Sequence, residues 1–311
     1  MRDCVGKKHN NRSGFTVLEL LTTIAIIGIL LALILPAIAS SRASARRIQC
    51  QNNLHQMGLA LHRVVESHGA FPTAESTSVF ATTDSARGLH ERLLPALEQE
   101  QALAHSKKYR GARVSVYLCP DDSLADAATS GAIATNYRKN IGVGFRAQFP
   151  RTGFDIGDEA DVRPADITDG LSNTVAISER LWFYRDSGSS IVDPGDPRVF
   201  WWTTQRFYGV DEIPQAIDQA RNHRVTPSPQ SVVVGYLTYD HMLPPNHPAS
   251  YNGPDAPGAD GDHLLVPASS FHRGLVNSLL ADGSCRVMSD SVDLAVWHAL
   301  GTRAGGETNA Q

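Results

Sequence analysis

The chain has 311 residues, 42% of them hydrophobic, which supplies enough apolar surface for a sizeable buried core. Charged residues contribute 19%, a balance that excludes the class of disordered chains with low hydrophobicity and high net charge. The formal net charge is -4 and residues 1–14 are basic, so the remaining chain is more acidic still. It is therefore a poor match for nucleic acid.

The first predicted element is an apolar segment at residues 15–35, which is long enough to cross a membrane as a helix. A basic leader at residues 1–14 precedes it, and Glu19 is its one charged residue. Because positive charge stays on the cytoplasmic side, the sequence predicts a single-pass protein whose C-terminal bulk is exported.

Three interpretations of this segment compete, and two of them are a plain signal anchor and a secretory signal peptide. Residues 37–39 supply a secretory cleavage site, but the apolar run exceeds the roughly 7–15 residues of secretory signals. Neither explains a carboxylate inside a membrane helix, which is costly and usually functional. Gly14, Phe15 and Glu19 resemble the prepilin motif, in which a prepilin peptidase cuts before an aromatic residue and N-methylates it.

The prepilin resemblance implies that residues 1–14 are removed and that the apolar segment is retained. The protein would then be single-pass in a bacterial inner membrane, with its C-terminal domain in the periplasm or at the cell surface. It also implies that Glu19 serves assembly, by neutralising the new N-terminal amine of a neighbouring subunit. Pro36 resembles the proline at which pilin helices bend, because proline removes one helical hydrogen bond.

Residues 36–68 are predicted to continue the helix beyond the membrane as a spine for the globular domain. One apolar stripe at helical spacing comprises Cys50, Leu54, Met57, Leu61 and Val64. His68-Gly69 followed by Pro72 predicts the end of the helix.

After removal of the leader the chain keeps three cysteines, Cys50, Cys119 and Cys285. In an oxidising compartment they allow one disulfide and one leftover thiol, and the sequence does not choose the pair. The position of Cys50 on the apolar stripe favours a buried free thiol there.

Residues 69–311 are predicted to form a globular domain of short strands and long loops. A helix is predicted over residues 88–105, and strands are predicted over 113–118, 174–178, 199–203 and 231–237. The fold class is therefore α+β: a pilin-like long N-terminal helix, membrane-spanning in its first half, packs on a mostly antiparallel sheet with long loops.

The clearest strand pair is a C-terminal hairpin with Asp282-Gly283 at its tip, a dipeptide that favours a type I′ turn. The residues predicted to share one face of this hairpin are Val276, Leu280, Cys285 and Val287.

Several segments carry motifs that occur together in one family. They are residues 52–62 with 69–72, 118–122, 135–137 with Asn140, 167–174 ending at Glu179, His272 with Asp282-Gly283, and 297–303. In these segments the chain resembles the planctomycete-type domain-of-unknown-function 1559 family, whose C-terminal hallmark, H-X9-DG, is a histidine, nine residues and then Asp-Gly. The resemblance implies pilin-like or pseudopilin-like export and carries no activity with it.

His272 and Asp282 have two interpretations. They could be an acid–base pair or two metal ligands. The preferred interpretation is structural, with Asp282 as a turn residue and His272 capping or packing beside the hairpin, because Asp-Gly turns need no chemistry.

A turn-rich loop at residues 244–262 contains Asp255, Asp260 and Asp262, whose carboxylates suit Ca²⁺. Their spacing does not fit an EF-hand, so a solvated acidic loop without a metal is preferred. The sequence thus predicts no cofactor, with calcium as the alternative.

Aromatic residues cluster at 182–184, 200–202 and 207–208. They could stack on a sugar or a partner, but adjacent aromatics on a strand more often place one ring in the core, which is the preferred interpretation.

No nucleophile, zinc-protease or phosphate-loop motif accompanies these residues, so the sequence predicts no enzyme. The leading hypothesis is a pilin-type or pseudopilin-type subunit of a type IV pilus or type II secretion-like filament. Its expected partners are the prepilin peptidase, the membrane and other pilin-like subunits. The alternative is a membrane-tethered module that binds a sugar or another envelope ligand.

Overall fold

The computed structural model describes residues 16–72, 89–101, 113–122, 135–143, 152–154, 162–181, 200–202, 238–248, 250–252 and 264–306. The chain divides into two compact units, Met1–Ala45 and Arg46–Gln311. Ser231–Leu237, predicted as a strand, lies outside the described residues.

Helix α1, Val17–His68, is the longest element and continues through Pro36. Its N-terminal part is apolar enough to cross a membrane, and its most apolar window is fully exposed in the isolated chain. Among the described residues it is the one helix with this property. The predicted membrane-capable helix is confirmed, and its end agrees with the predicted stop, because Gly69 leaves the helix with a φ of 77°.

The C-terminal part of α1 carries the core of the second unit. Every residue of the predicted apolar stripe is buried, from Cys50 to Val64. Gly58 faces the hairpin, where a Cβ atom would come within 2.9 Å of Leu279 Cδ1 and 3.1 Å of the Gly283 carbonyl oxygen. A glycine at this position therefore permits the close approach of helix and sheet.

Two predictions for the region after α1 are wrong in part. Helix α2 is short, Leu89–Leu93, and a turn follows it. Pro95 disfavours helical backbone at the residue before it, and Glu98 adopts a left-handed conformation (φ 59°). The strand predicted over residues 113–118 is instead a 3₁₀ turn, Ser115–Tyr117, whose Tyr117 side chain is buried.

The main sheet has five strands in the order β4-β1-β2-β7-β8. The strands are β1 Tyr137–Asn140, β2 Val175–Glu179, β4 Thr238–Tyr239, β7 Leu275–Leu280 and β8 Cys285–Ser289. Only the β1–β4 pair is parallel in this sheet. A second sheet joins β3 Phe200–Trp202, β5 Ser250–Asn252 and β6 Leu264–Leu265.

The central strands of the main sheet, β1, β2 and β7, are buried on both faces, whereas the edge strand β8 is partly exposed. One face packs on α1, where Ile177 and Leu279 join the apolar stripe. The other packs on helix α3, Leu294–Gly301, through Trp297 and Leu300. The Asp293 side chain caps α3 by accepting hydrogen bonds from Ala295 N at 2.8 Å and Val296 N at 3.3 Å. The predicted α+β class with a long N-terminal helix is confirmed.

The C-terminal hairpin exists, but its predicted register and turn are wrong. Leu279 pairs with Cys285 and Val276 pairs with Met288, so Val276 and Cys285 lie on opposite faces. The loop contains three residues, 281–283, rather than two, because Leu280 N donates to the Ser284 carbonyl oxygen at 2.8 Å and Gly283 N donates to the Leu280 carbonyl oxygen at 3.0 Å. Gly283 has a positive φ of 86°, whereas Asp282 does not, which excludes a type I′ turn.

Candidate functional site

The predicted processing residues Gly14 and Phe15 lie outside the described residues, as do Asp255, Asp260 and Asp262. Glu19 is described and lies in the first turn of α1. Its Oε2 atom accepts hydrogen bonds from the backbone N–H of Thr16 at 2.8 Å and from the Thr16 hydroxyl at 2.9 Å. Glu19 thus closes the first turn of the helix and remains exposed.

The aromatic clusters can be followed only in part. Residues 182–184 and 207–208 lie outside the described residues, and residues 200–202 form β3.

Cys50 and Cys119 form a disulfide between α1 and the loop that precedes β1, with Cα atoms 5.3 Å apart. The expectation of a free thiol at Cys50 is therefore wrong. The apolar stripe places Cys50 in the core, but the fold brings a second cysteine to the same point. Among the described residues Cys285 is the free cysteine, and burial raises the pKa of its thiol to about 11.

His272 lies beside this disulfide and is the centre of a buried polar cluster. Its Nδ1 atom is 2.9 Å from Asp121 Oδ2, and its Nε2 atom is 3.3 Å from Glu179 Oε1. The same Nε2 atom is 3.7 Å from Cys119 Sγ. The expectation that His272 only caps or packs beside the hairpin is therefore incomplete, because both ring nitrogens contact carboxylates.

The backbone around His272 holds the ring in place. The Ser270 hydroxyl accepts a hydrogen bond from His272 N at 2.9 Å and donates one to the Leu275 carbonyl oxygen at 3.0 Å. Gly274, in a left-handed conformation (φ 66°), turns the chain into β7. The position of the His272 ring is therefore set by a tight turn that precedes the first strand of the hairpin.

Glu179 is the last residue of β2 and is almost fully buried. Its Oε2 accepts a hydrogen bond from Asn277 N at 2.8 Å, and its Oε1 accepts one from Asn277 Nδ2 at 2.9 Å. A buried carboxylate needs such partners, since its desolvation otherwise costs several kcal/mol. Strand β7 thus orients Glu179 toward His272.

Asp121 belongs to a compact loop over residues 118–122. The Cys119 N–H donates to Asn136 Oδ1 at 2.9 Å, and Asn136 Nδ2 donates to Asp122 Oδ2 at 2.8 Å. Asp121 itself forms an ion pair with Arg46 of α1. The two carboxylates at His272 are therefore accompanied by a cation.

The pKa of His272 lies above its usual value of 6.5. Desolvation is the largest single effect and lowers the pKa. The hydrogen bond to Glu179 and the charges of Glu179 and Asp121 together outweigh it. In the disulfide form the two carboxylates therefore favour protonation of the His272 ring that lies between them.

Asp282, the other polar member of the H-X9-DG motif, is exposed at the hairpin tip. Its Oδ1 accepts hydrogen bonds from Ser284 N at 2.8 Å and from the Ser284 hydroxyl at 2.6 Å. These contacts are those of a turn residue. The fold thus gives His272 and Asp282 different surroundings, a buried cluster and an exposed turn.

The cluster could hold a metal ion. Cys50, Cys119, Glu179 and His272 each offer one ligand atom, and these four atoms all lie within 4.8 Å of one another. No other such group of three or more His, Cys, Asp or Glu side chains occurs within the described ranges. Sequence reasoning missed this cluster, although Cys119, Asp121, Glu179 and His272 all lie in the motifs quoted for the family.

Comparison with known families shows that these motifs belong to a family match that spans most of the chain. A family model described as a protein of unknown function (DUF1559) matches residues 39–295. The chain belongs to this family. The DUF1559 match spans all four residues that supply ligand atoms to the cluster. No curated protein and no solved structure matches the chain significantly.

A second family model, the prokaryotic N-terminal methylation motif, matches residues 9–35. This DUF1559 protein is therefore a type IV pilin-like exported protein with an N-terminal membrane anchor, and the motif implies processing by a prepilin peptidase.

Proposed function

We propose that this protein is a pilin-type or pseudopilin-type subunit of a type IV pilus or type II secretion-like filament. It is anchored in the bacterial inner membrane with Arg46–Gln311 on the outer side. In this proposal the globular unit has a structural role and no catalytic one.

The observation that carries the proposal is Glu19, a carboxylate in an otherwise apolar and exposed helical segment. The surrounding residues of α1, from Val17 to Leu35, leave their large apolar side chains uncovered. A lone charge in such a segment costs about 2.5–3.5 kcal/mol on insertion scales, so a plain anchor would be more stable without it.

In a filament the Glu19 carboxylate can neutralise a positive charge on a neighbouring subunit. Cleavage before Phe15 creates an α-amino group, which is a cation close to the start of α1. Two opposite charges in a low-dielectric environment stabilise each other only when they are closely paired. Glu19 of one subunit can pair with the amine of its neighbour as the apolar helices pack.

The test is formaldehyde crosslinking of wild-type and Glu19→Ala protein in native membranes. Thr23→Ala is the matched control, because it removes a polar group from the same segment without changing a charge. We expect oligomer ladders from wild type and the control, and monomer alone from Glu19→Ala. Mass spectrometry of the mature N-terminus checks that all three are cleaved.

Equal ladders from wild type and Glu19→Ala, or no ladder from either, would contradict the filament role. Either result would favour the tethered binding module.

A further inference from the structure

The four ligand atoms at the His272 cluster are those of a borderline-soft metal site. Two are sulfur, one is an imidazole nitrogen and one is a carboxylate oxygen. We propose that the dithiol form of this protein binds one Zn²⁺ ion through Cys50, Cys119, Glu179 and His272. The Cys50–Cys119 disulfide is the metal-free state of the same site.

Two of the distances between ligand atoms already fit the edges of a tetrahedron around zinc. With usual metal–ligand bond lengths, an imidazole nitrogen and a carboxylate oxygen lie about 3.3 Å apart, and a sulfur and a nitrogen about 3.6 Å apart. In the structure Nε2 of His272 is 3.3 Å from Glu179 Oε1 and 3.7 Å from Cys119 Sγ. The ligand pairs nowhere exceed 4.8 Å, which is within about 1 Å of the longest tetrahedral edge.

The two sulfurs are the ligands that must move. In a tetrahedral zinc site two thiolates lie about 3.8 Å apart, so the S–S bond and the metal exclude each other. The backbone need not follow far, because rotation of the Cys50 and Cys119 side chains separates the sulfurs.

The groups behind the ligands are those that a metal site uses. A metal-bound histidine usually donates its other ring N–H to a carboxylate, which fixes its tautomer and orientation. Asp121 Oδ2 stands 2.9 Å from His272 Nδ1 in that position. Glu179 is held in turn by Asn277, through two hydrogen bonds of 2.8 and 2.9 Å.

The donor set and its burial select the metal. Two thiolates and an imidazole suit zinc, whereas Ca²⁺ and Mg²⁺ take oxygen ligands. All four ligand residues are buried, with Cys50 and Glu179 at 0% and 1% exposure. Four protein ligands in a closed site are typical of structural zinc, which adds stability and leaves no open position for catalysis.

Interconversion of the two states balances as a two-electron exchange. A dithiol reductant breaks the S–S bond, supplies two electrons and two protons, and is itself oxidised to a disulfide. Zinc then binds the two sulfurs as thiolates and Nε2 of His272 as a neutral nitrogen, and the two thiol protons and any proton on Nε2 pass to water. In the reverse direction a disulfide oxidant accepts the two electrons, the Cys50–Cys119 bond forms and Zn²⁺ leaves.

The test uses the mature, detergent-solubilised protein carrying Cys285→Ser, so that Cys50 and Cys119 are its remaining thiols. The protein is reduced with a phosphine, desalted without oxygen and titrated with Co²⁺. We expect one equivalent to give the visible absorption of tetrahedral cobalt and a thiolate charge-transfer band, both removed by Zn²⁺. The oxidised protein should give neither. His272→Gln should weaken binding at least about tenfold.

A second measurement does not depend on the folding of any His272 variant. Zn²⁺ should protect Cys50 and Cys119 of the reduced protein from alkylation by N-ethylmaleimide, mapped by mass spectrometry. In protein that keeps Cys285, that thiol should label equally with and without zinc. A reduced protein without a tetrahedral cobalt spectrum, equal metal binding by the oxidised form, or unprotected thiols would each overturn the proposal.

Discussion

Gly283 at the tip of the C-terminal hairpin combines a left-handed backbone (φ 86°) with a close neighbour. An added Cβ atom would lie 3.1 Å from His62 Cδ2. We expect Gly283→Ala to lower the free energy of unfolding by about 1–2 kcal/mol, the cost of a left-handed non-glycine residue. Chemical denaturation of the solubilised protein measures this.

The neighbouring Asp282→Ala is the matched comparison. It removes two exposed hydrogen bonds to Ser284 but meets no conformational penalty, because the φ of Asp282 is not positive. We expect a loss below about 1 kcal/mol. A larger loss for Asp282→Ala than for Gly283→Ala would contradict this account of the turn.

At the scale of elements, helix α1 is the principal support of the globular unit. Leu61 is fully buried on the apolar stripe, whereas Leu59, two residues earlier on the same helix, is 53% exposed. We expect Leu61→Ala to cost about 2–5 kcal/mol of unfolding free energy through lost burial and a residual cavity.

Leu59→Ala is the control for Leu61→Ala, since it makes the same chemical change on the other face of α1. Its effect should stay within about 0.5 kcal/mol, because alanine favours a helix and little burial is lost. Equal losses at the two positions, by thermal or chemical denaturation, would mean that the stripe does not pack as described.

At the scale of the whole molecule, two buried histidines make the fold sensitive to acid. Desolvation lowers the pKa of His90 to about 4 and that of His241 to about 3. At a pH below 6.5, the usual pKa of histidine, these two side chains bind more protons in the unfolded chain than in the folded one. Their contribution to the free energy of unfolding therefore falls as pH falls. Asp240 opposes this, because burial raises its pKa to about 6.

His90→Gln should remove one of these contributions. Between about pH 4.5 and pH 6 it should reduce the rise of unfolding free energy with pH by roughly 1 kcal/mol per pH unit. Urea denaturation at several pH values measures the slope, and the same substitution at exposed His55 is the control. An unchanged slope in His90→Gln would show that His90 is not buried as a neutral group.

The processing of the chain is a second prediction at this scale. We expect the mature protein to begin at N-methylated Phe15, because the methylation motif spans residues 9–35. Gly14→Ala should accumulate unprocessed precursor, since a side chain there hinders the peptidase. Mass spectrometry of the purified protein checks both. A mature chain that begins at Ser40 would indicate an ordinary secretory signal instead.

Some elements were hidden from sequence analysis for a physical reason. Strand β1 reads Tyr-Arg-Lys-Asn, yet all four residues are buried, including Arg138 and Lys139. Polar side chains inside a core break the alternation on which strand prediction depends. The register of the hairpin was missed because its loop has three residues rather than two, and one extra residue moves the side chains of one strand to the opposite face.

The sequence by itself determined the membrane helix, the methylation motif and the apolar stripe, because each is a local pattern of fixed spacing along the chain. The family motifs in the sequence also included Cys119, Asp121, Glu179 and His272, without indicating that these residues meet. Only the tertiary structure decided that Cys50 pairs with Cys119, 69 residues away, and that both lie beside His272 and Glu179. Contacts between residues so distant in sequence depend on how helix α1 packs on the sheet, and no local spacing encodes that packing.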